Sequence, residues 1–271
     1  MTVEKENIKQ LIRDIKKKKE LREISDKFVK EQLDKLFTKD VKVDFNPRSA
    51  VYKTIIKDVR AKLRRVYGLF RTKENLAEIK KLLSEKKIDQ ILSVHSSTKE
   101  RILFYPQLYQ KIFQITGKPK TLLDLGCGIN PFSFQHMKLS KLNYYAYDLS
   151  KEEISLINQY FKSINLDGKA EILNLLDFDK VKRLPSADLS FLFKMTDVLD
   201  RGKGHKTSEE LIKSIPAKHV VISFATLTMS GKKMNHPRRG WIELMSKRLG
   251  YSYQLLEFSN ELFYVISKDN N

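Results

Sequence analysis

Apolar residues recur at helical spacing through the first hundred residues. Residues 1–46 are rich in Lys and Glu, with apolar sets such as Ile8, Leu11, Ile12 and Ile15, and this spacing predicts short helices. Pro47 marks a break after them. The same spacing predicts three further helices, over residues 50–71, 74–92 and 99–116.

The pattern changes near residue 120, where short apolar runs begin to alternate with amphipathic segments. Such alternation predicts a mostly parallel sheet with helices on both faces. The last two runs, SYQLLEFS and ELFYVISK, predict a closing hairpin that inserts one antiparallel strand. Earlier strands are predicted at TLLDLG, LNYYAYD, AEILNLLD, DLSFLFK and HVVISFA, and helices at 131–139, 150–163, 207–215 and 237–249. We therefore predict a helical domain over residues 1–115 and a doubly wound α/β domain over residues 116–271.

The excess of basic residues indicates what kind of partner the protein binds. The chain carries 52 Lys and Arg against 33 Asp and Glu, a net charge of +19. Such an excess favours a polyanion, most often nucleic acid, over a merely well-solvated surface. No run approaches 18 apolar residues and no apolar leader follows Met1, so we expect a cytoplasmic protein without a membrane span.

The helix predicted over residues 50–71 carries the most one-sided charge. Its apolar side chains share one stripe, and a second stripe is basic, with Asp58 as the single acid between residues 51 and 73. An ordinary surface helix mixes signs to gain i,i+4 pairs, so this helix is predicted to face phosphates. The basic residues in question are Lys53, Lys57, Arg60, Arg64, Arg65 and Arg71.

A glycine-rich turn follows the first predicted strand in the stretch LLDLGCGINPF. Gly126 and Gly128 are followed by Pro131, where a dinucleotide fingerprint would have its third glycine. No GK[ST] follows, so the turn is not a P-loop. Asp124 would repel a pyrophosphate but attract a sulfonium and an α-amino group.

Two more aspartates follow the next two predicted strands. Asp148 ends the second, where a carboxylate can hold both ribose hydroxyls, and Asp177 follows the third, near where an adenine amino group would lie. This ordered set is the S-adenosylmethionine arrangement, and it predicts a Rossmann-like class I methyltransferase fold.

The rest of the sequence reduces the number of possible methyl acceptors. Cys127, the single cysteine, lies in the turn itself, so methylation of a pyrimidine carbon through a thiol nucleophile is disfavoured. FKMTDV (193–198) stands where adenine amino methylation would use an Asn-Pro-Pro-aromatic loop. Lys194 is available for 2′-O methylation. Methylation of guanine N7 needs no general base, because N7 carries a free lone pair, and so needs mainly alignment.

Four segments resemble a known family in order and spacing: HSSTKER (95–101), LLDLGCGINPF, FLFKM (191–195) and VVISFATLTMSGKK (220–233). Over roughly residues 50–267 the chain is similar to the aminoglycoside-resistance ribosomal RNA methyltransferases. That resemblance implies S-adenosylmethionine as cofactor and N7 of a guanine in the decoding site of 16S rRNA as acceptor, with the small subunit as partner.

The resemblance also assigns roles to residues. Arg101 would meet the methionine carboxylate of the cofactor, with His95 and Ser97 shaping that pocket. From the residue types alone, Ser96–Thr98 is also predicted to cap the 99–116 helix. The loop after residue 225 would face rRNA through Lys232, Lys233, Arg238 and Arg239. The full predicted cofactor pocket is His95, Ser97, Arg101, Asp124, Gly126, Cys127, Gly128, Asn130, Asp148, Leu149, Leu176, Asp177 and Lys194.

The chain departs from the family near the expected target base. Thr196–Asp197 stands where the family has Pro, and MNHPRRGWIE (234–243) differs from the family loop. Candidates for positioning the base are Lys194, Met195 and Trp241, with Phe104 and Tyr105 as further aromatic possibilities. The scattered histidines show no metal-ligand spacing, and we expect a monomer without a metal. The alternatives left open are an rRNA or tRNA enzyme acting on adenine N1 or a 2′-hydroxyl, and a non-catalytic RNA-binding or assembly factor.

Overall fold

The computed structural model describes residues 2–18, 21–22, 24–34, 36–37, 45–67, 73–200, 204–228 and 231–268. Three amino-terminal helices form a small bundle, namely α1 (Thr2–Ile15), α2 (Asp26–Asp34) and α3 (Ala50–Tyr67). Its core contains the described part of the apolar stripe predicted for α3, since Tyr52, Val59 and Leu63 are buried there against α1 and α2. The Tyr52 hydroxyl donates to Asp14 at 2.6 Å and ties α3 to α1.

Four helices lead from the bundle to the sheet: α4 (Lys73–Ser84), α5 (Ile88–Ile91), α6 (Ser96–Lys99) and α7 (Tyr105–Thr116). The single helix predicted over 74–92 is wrong, because Lys86 takes a φ of 57° and separates α4 from α5. The helix predicted over 99–116 begins only at Tyr105. Pro106 lies in its first turn, the part of a helix that tolerates proline.

Seven strands form one sheet in the order β3-β2-β1-β4-β5-β7-β6. β7 runs antiparallel to both β5 and β6, which confirms the inserted strand of the closing hairpin. The third strand is shorter than predicted and ends at Ile172, because a turn at Asn174 follows it. The strands are β1 (Thr121–Leu125), β2 (Asn143–Asp148), β3 (Gly168–Ile172), β4 (Ala187–Phe193), β5 (Ala217–Ala225), β6 (Ser252–Glu257) and β7 (Glu261–Ser267).

Helices cover both faces of the sheet, and the alternation of side chains along β1 divides the core between them. Leu122 belongs to one apolar cluster, together with side chains of α4, α5 and α7, while Leu123 belongs to a second on the opposite face. The connecting helices are a 3-10 helix (Asn130–Met137), α8 (Lys151–Ser163), α9 (Phe178–Lys182), α10 (Thr196–Leu199), α11 (Lys206–Ser214) and α12 (Gly240–Leu249).

The division of the chain into domains follows from these clusters. Side chains of α4 and α7 share their core with the sheet, whereas the bundle core contains side chains from the first 63 residues and Leu149. We therefore propose that the helical domain is shorter than the predicted 1–115 and ends with α3. Among the described residues, no helix is long and apolar enough to cross a membrane.

Candidate active site

The glycine turn lies where β1 ends, beside the carboxyl ends of β2 and β4. Gly126 and Gly128 have φ values of 68° and 50°, a region that strongly favours glycine. The backbone N–H groups of Gly126 and Cys127 both donate to the carbonyl of Tyr147, at 2.8 and 3.0 Å. A Cβ added at Gly126 would come within 2.5 Å of Met195 Sδ, so the absence of a side chain lets the segment after β4 lie on the turn.

Asp148 is the last residue of β2 and is only 5% exposed. Its carboxylate accepts backbone N–H groups from Gly128 at 2.9 Å, Leu149 at 2.6 Å and Ser150 at 3.2 Å. These bonds fix the carboxylate at the sheet edge and tie the β1 turn to the β2–α8 loop. The same loop leads into α8, and Ser150 caps this helix by accepting the backbone N–H of Glu153.

Asp124 lies beneath the turn, buried in the protein interior. Asn130 Nδ2 and the Tyr144 hydroxyl donate to it at 2.9 and 2.7 Å, and the Tyr105 hydroxyl donates in turn to Asn130 at 2.8 Å. Burial raises the pKa of Asp124 to about 6, against the two hydrogen bonds, which lower it. Both donors bond to the same oxygen of Asp124, Oδ2, and so fix the orientation of its carboxyl group.

Two basic and two acidic side chains form a network of ion pairs at the start of β7. Arg101 is 2% exposed and makes a bidentate pair with Glu261, with Nε–Oε2 at 2.9 Å and Nη2–Oε1 at 2.7 Å. Lys194 Nζ lies 2.5 Å from Glu100 and 3.5 Å from Glu261. Predicted residues Arg101 and Lys194 are therefore brought together.

Their carboxylate partners, Glu100 and Glu261, were missed from the sequence. A signal for Glu261 exists, because it is the charged first residue of an otherwise apolar strand.

His95 and Thr98 of HSSTKER make contacts outside this network. His95 Nε2 lies 3.4 Å from Glu153 of α8, and both side chains are buried. The predicted capping role of Ser96–Thr98 is wrong, because these residues form α6 itself, and Thr98 Oγ1 donates to the carbonyl of Leu92 at 2.6 Å. Ser97 in α6 is partly exposed.

Asp177 begins α9 rather than ending a strand. Its side chain accepts from the backbone of Lys180 and forms an ion pair with the Lys180 ammonium, and these interactions lower the pKa of Asp177. Leu176 beside it packs partly buried against the sheet. Asp177 therefore follows β3, the strand beside β2, as predicted, but it comes after the turn at Asn174 and not directly after the strand.

The candidate base-positioning residues have different surroundings. Met195 lies over the glycine turn, as described above. Trp241 stacks on the His205 ring, with centroids 4.5 Å apart and planes 9° apart. Phe104 and Tyr105 are core residues, 7% and 0% exposed, so the structure contradicts a stacking role for these two.

The basic residues predicted to face RNA, apart from Arg60, divide into three groups. Lys53, Lys57, Lys232 and Lys233 are exposed. Arg238 pairs with Glu243 at 3.0 Å, and Arg239 lies over the Phe224 ring at 4.8 Å. Arg64 and Arg65 belong to α3, but their side chains, like Arg71 as a whole, lie outside the described residues.

Arg60 corrects the prediction for α3. Its Nε donates to the carbonyl of Ile15 at 3.1 Å and its Nη2 to that of Asp14 at 2.6 Å. These carbonyls lie at the carboxyl end of α1, where helical hydrogen bonding ends, and that of Asp14 also accepts the backbone N–H of Lys17 at 3.3 Å. Arg60 therefore joins α3 to α1 instead of facing a phosphate.

Comparisons with known proteins agree with this geometry. The family model described as ribosomal RNA methyltransferase (FmrO) matches residues 81–265. A relative from Proteus mirabilis, named 16S rRNA (guanine(1405)-N(7))-methyltransferase, is 27% identical over 243 residues, which are 80% of this chain and 85% of that protein.

Two solved structures share the fold. The 16S rRNA methylase RmtB superposes with a TM-score of 0.76 at 22% identity, covering 97% of this chain and 98% of its own. The 16S rRNA methyltransferase RmtF, solved in complex with S-adenosyl-L-homocysteine, gives 0.76 at 22% identity over 97% of this chain and 99% of its own.

Proposed function

Because the chain belongs to the ribosomal RNA methyltransferase (FmrO) family, we propose that it transfers a methyl group from S-adenosylmethionine to guanine N7 in the decoding site of 16S rRNA. The observation that carries the proposal is the buried Asp148 carboxylate, held at the sheet edge by the backbone of the glycine turn. Its relative from Proteus mirabilis carries this activity in its name.

The residues of the site fit S-adenosylmethionine. Asp148 suits the ribose hydroxyls, and Asp177 stands at the next position along the edge for the adenine amino group. Asp124 supplies negative charge beneath the turn, which suits the sulfonium and the α-amino group of the cofactor. Glu100 and Glu261 are already paired with Lys194 and Arg101. When bound, the cofactor would supply a methyl group attached to a sulfonium sulfur. After transfer of the methyl group, the sulfur remains in the cofactor product as a neutral thioether.

Arg101 remains the proposed contact for the methionine carboxylate, but with a qualification from the structure. Its guanidinium already forms a bidentate pair with Glu261 through Nε and Nη2. We propose that Glu261 fixes the orientation of the guanidinium, and that the carboxylate approaches the remaining side of the fork. His95, Ser97, Cys127, Asn130, Leu149, Leu176 and Lys194 complete the proposed pocket around the residues already named.

The surroundings of Lys194 favour N7 chemistry over 2′-O chemistry. Transfer to a hydroxyl needs a group that accepts its proton, whereas N7 attacks through its own lone pair. The Lys194 ammonium forms ion pairs with Glu100 and Glu261. These pairs favour the charged form of Lys194, which has no lone pair to accept a proton from a hydroxyl. We propose that Lys194 and Met195 align the acceptor, with Trp241 beside them, and that no general base takes part.

The basic surface is the proposed contact with the small subunit. Lys53 and Lys57 project from the bundle, and Lys232 and Lys233 from the loop after β5. Arg64, Arg65, Arg71, Arg238 and Arg239 are proposed to add to it, and Arg60 is withdrawn. We propose that the protein acts as a monomer on assembled subunits in the cytoplasm, docking through phosphate contacts and the shape of folded RNA.

Labelled methyl transfer tests the proposal. The protein is incubated with methyl-labelled S-adenosylmethionine and small subunits, naked 16S rRNA or tRNA. We expect label in the small subunits. Label in tRNA alone would contradict the proposal that the acceptor is ribosomal RNA. The absence of label from all three RNAs would contradict the proposal that the protein is an RNA methyltransferase.

Asp148→Asn tests the cofactor site in the same assay. This change removes the charge that holds the Gly128 N–H, and we expect at least a tenfold loss of label. Titration with S-adenosyl-L-homocysteine should show the matching loss of affinity. Asp179→Asn, in the exposed part of α9, is the control and should behave like the unchanged protein. Full activity of Asp148→Asn would contradict the assigned site.

A further inference from the structure

The amino-terminal bundle is in direct contact with the loops that form the proposed cofactor site. Ile24, which precedes α2, forms an isolated antiparallel bridge with Ser150, two residues after Asp148. Leu149 packs against the apolar core of the bundle. The loop that directly follows Asp148 is therefore held between the sheet and the bundle.

A second contact reaches the loop before α9. Asn174 Nδ2 donates to Glu31 Oε2 of α2 at 3.0 Å, across 143 positions of sequence. The other end of the same amide, Oδ1, accepts the backbone N–H of Leu176 at 3.1 Å. The carbonyl of Asn174 accepts the N–H of Asp177 at 2.9 Å.

These bonds form a chain from the bundle to Asp177. Glu31 fixes one end of the Asn174 amide, and the amide then shapes the turn that ends at Asp177. The charges agree with this closeness, since Asp177 first and Glu31 to a lesser degree raise the pKa of Lys180. Without Glu31, the amide of Asn174 would lose the partner that holds it toward the bundle.

We propose that Glu31 is a positioning residue for S-adenosylmethionine: through Asn174 it holds the Leu176–Asp177 turn in the conformation that binds the adenosine end. This inference rests on the proposed function, because it takes Asp177 as a contact of the cofactor. It gives the bundle a second role besides docking on RNA, namely completion of the cofactor site. The bridge between Ile24 and Ser150 and the packing of Leu149 against the bundle hold the β2–α8 loop in a similar way.

The test compares Glu31→Ala with Glu31→Gln in the full-length protein. Alanine removes the acceptor for Asn174, whereas glutamine keeps a side-chain oxygen at the same reach and removes only the charge. We expect Glu31→Ala to weaken binding of S-adenosyl-L-homocysteine by about 5- to 10-fold, and to raise KM for S-adenosylmethionine with kcat nearly unchanged. Glu31→Gln should restore binding to within about twofold of the unchanged protein.

Hydrogen exchange in the cofactor-free protein gives a readout independent of activity. The amides of Leu176 and Asp177 should exchange faster in Glu31→Ala and at the original rate in Glu31→Gln. Asp34→Ala is the matched control, because Asp34 is an exposed acid of the same helix that pairs with Lys30. It should change neither affinity nor exchange.

The outcomes separate this inference from the proposed function. If the unchanged protein binds neither S-adenosylmethionine nor S-adenosyl-L-homocysteine, the proposed function fails and the inference fails with it. If the unchanged protein binds and Glu31→Ala binds equally well, with unchanged exchange at the turn, the inference alone is overturned. If Glu31→Gln is as weak as Glu31→Ala, charge rather than the hydrogen bond is responsible, and positioning through Asn174 is overturned.

Discussion

Asp124 shows how a single buried carboxyl group affects the stability of the whole protein. Burial raises its pKa from 3.8 to about 6 in the folded state. Between those pH values the folded protein keeps a proton that the unfolded chain has released. Stability contributed by this group therefore falls as pH rises from about 4 to about 6, by roughly 3 kcal/mol in total.

We expect Asp124→Asn to remove this pH dependence. Denaturant unfolding of both proteins at pH 4.5, 5.5 and 7.0 gives the difference in unfolding free energy, in which the other carboxyl groups cancel. The variant should gain stability relative to the unchanged protein as pH rises through this range. A difference that is independent of pH would contradict the raised pKa of Asp124.

At the residue scale, part of the site was predictable and part was not. The places of Gly126 and Gly128 in the turn and of Asp148 at the end of β2 were predicted correctly, because a glycine turn and a strand end are local features; that they bind the cofactor stays a proposal. Glu100 and Glu261 were missed because their importance comes from contacts with Arg101 and Lys194 across the fold. Arg60 was misassigned for the same reason, since helical spacing gives the direction of a side chain but not its neighbours.

At the scale of elements, α3 combines two kinds of basic residue, which can be separated by mutation. The exposed pair Lys53 and Lys57 is proposed to contact phosphates, whereas Arg60 bonds to the end of α1. We expect the double change Lys53→Ala and Lys57→Ala to weaken binding to small subunits. It should also reduce the magnitude of the slope of log K against log salt by about 1.5, through loss of two phosphate contacts.

Arg60→Ala is the contrasting variant. It should leave the salt slope unchanged and destabilise the folded protein by roughly 1.5–3 kcal/mol, because a charged donor is lost from two carbonyls. Equal salt slopes for all three proteins would contradict the assignment of α3 as an RNA-facing helix.

The element predictions failed where local chemistry overrides a periodic pattern. Lys86 at positive φ and Pro106 each break a helix that apolar spacing extends. The third strand stops early because Asn174 forms a turn, and the Asn174 side chain also contacts Glu31, which no local pattern shows. The closing hairpin was predictable because its two apolar runs flank a tight turn.

At the scale of the whole molecule, the alternation of strands and helices was sufficient to predict a mostly parallel sheet covered by helices, and the net charge of +19 favoured nucleic acid as a partner. Neither reveals that the bundle lies against the cofactor loops, because that arrangement depends on contacts between distant segments such as Ile24 and Ser150. The same arrangement places the proposed RNA contacts of α3 and the proposed cofactor site on adjoining parts of one molecule.

The central claim, methylation of guanine N7 in 16S rRNA, is tested most directly by mapping the modified nucleotide. Small subunits treated with the protein and S-adenosylmethionine are stripped to rRNA, reduced with borohydride and cleaved with aniline, a sequence that breaks the chain at 7-methylguanosine. Primer extension should then stop at a single guanine in the decoding site, and only when both protein and cofactor were present. Methyl label in the rRNA without such a stop would contradict N7 as the acceptor.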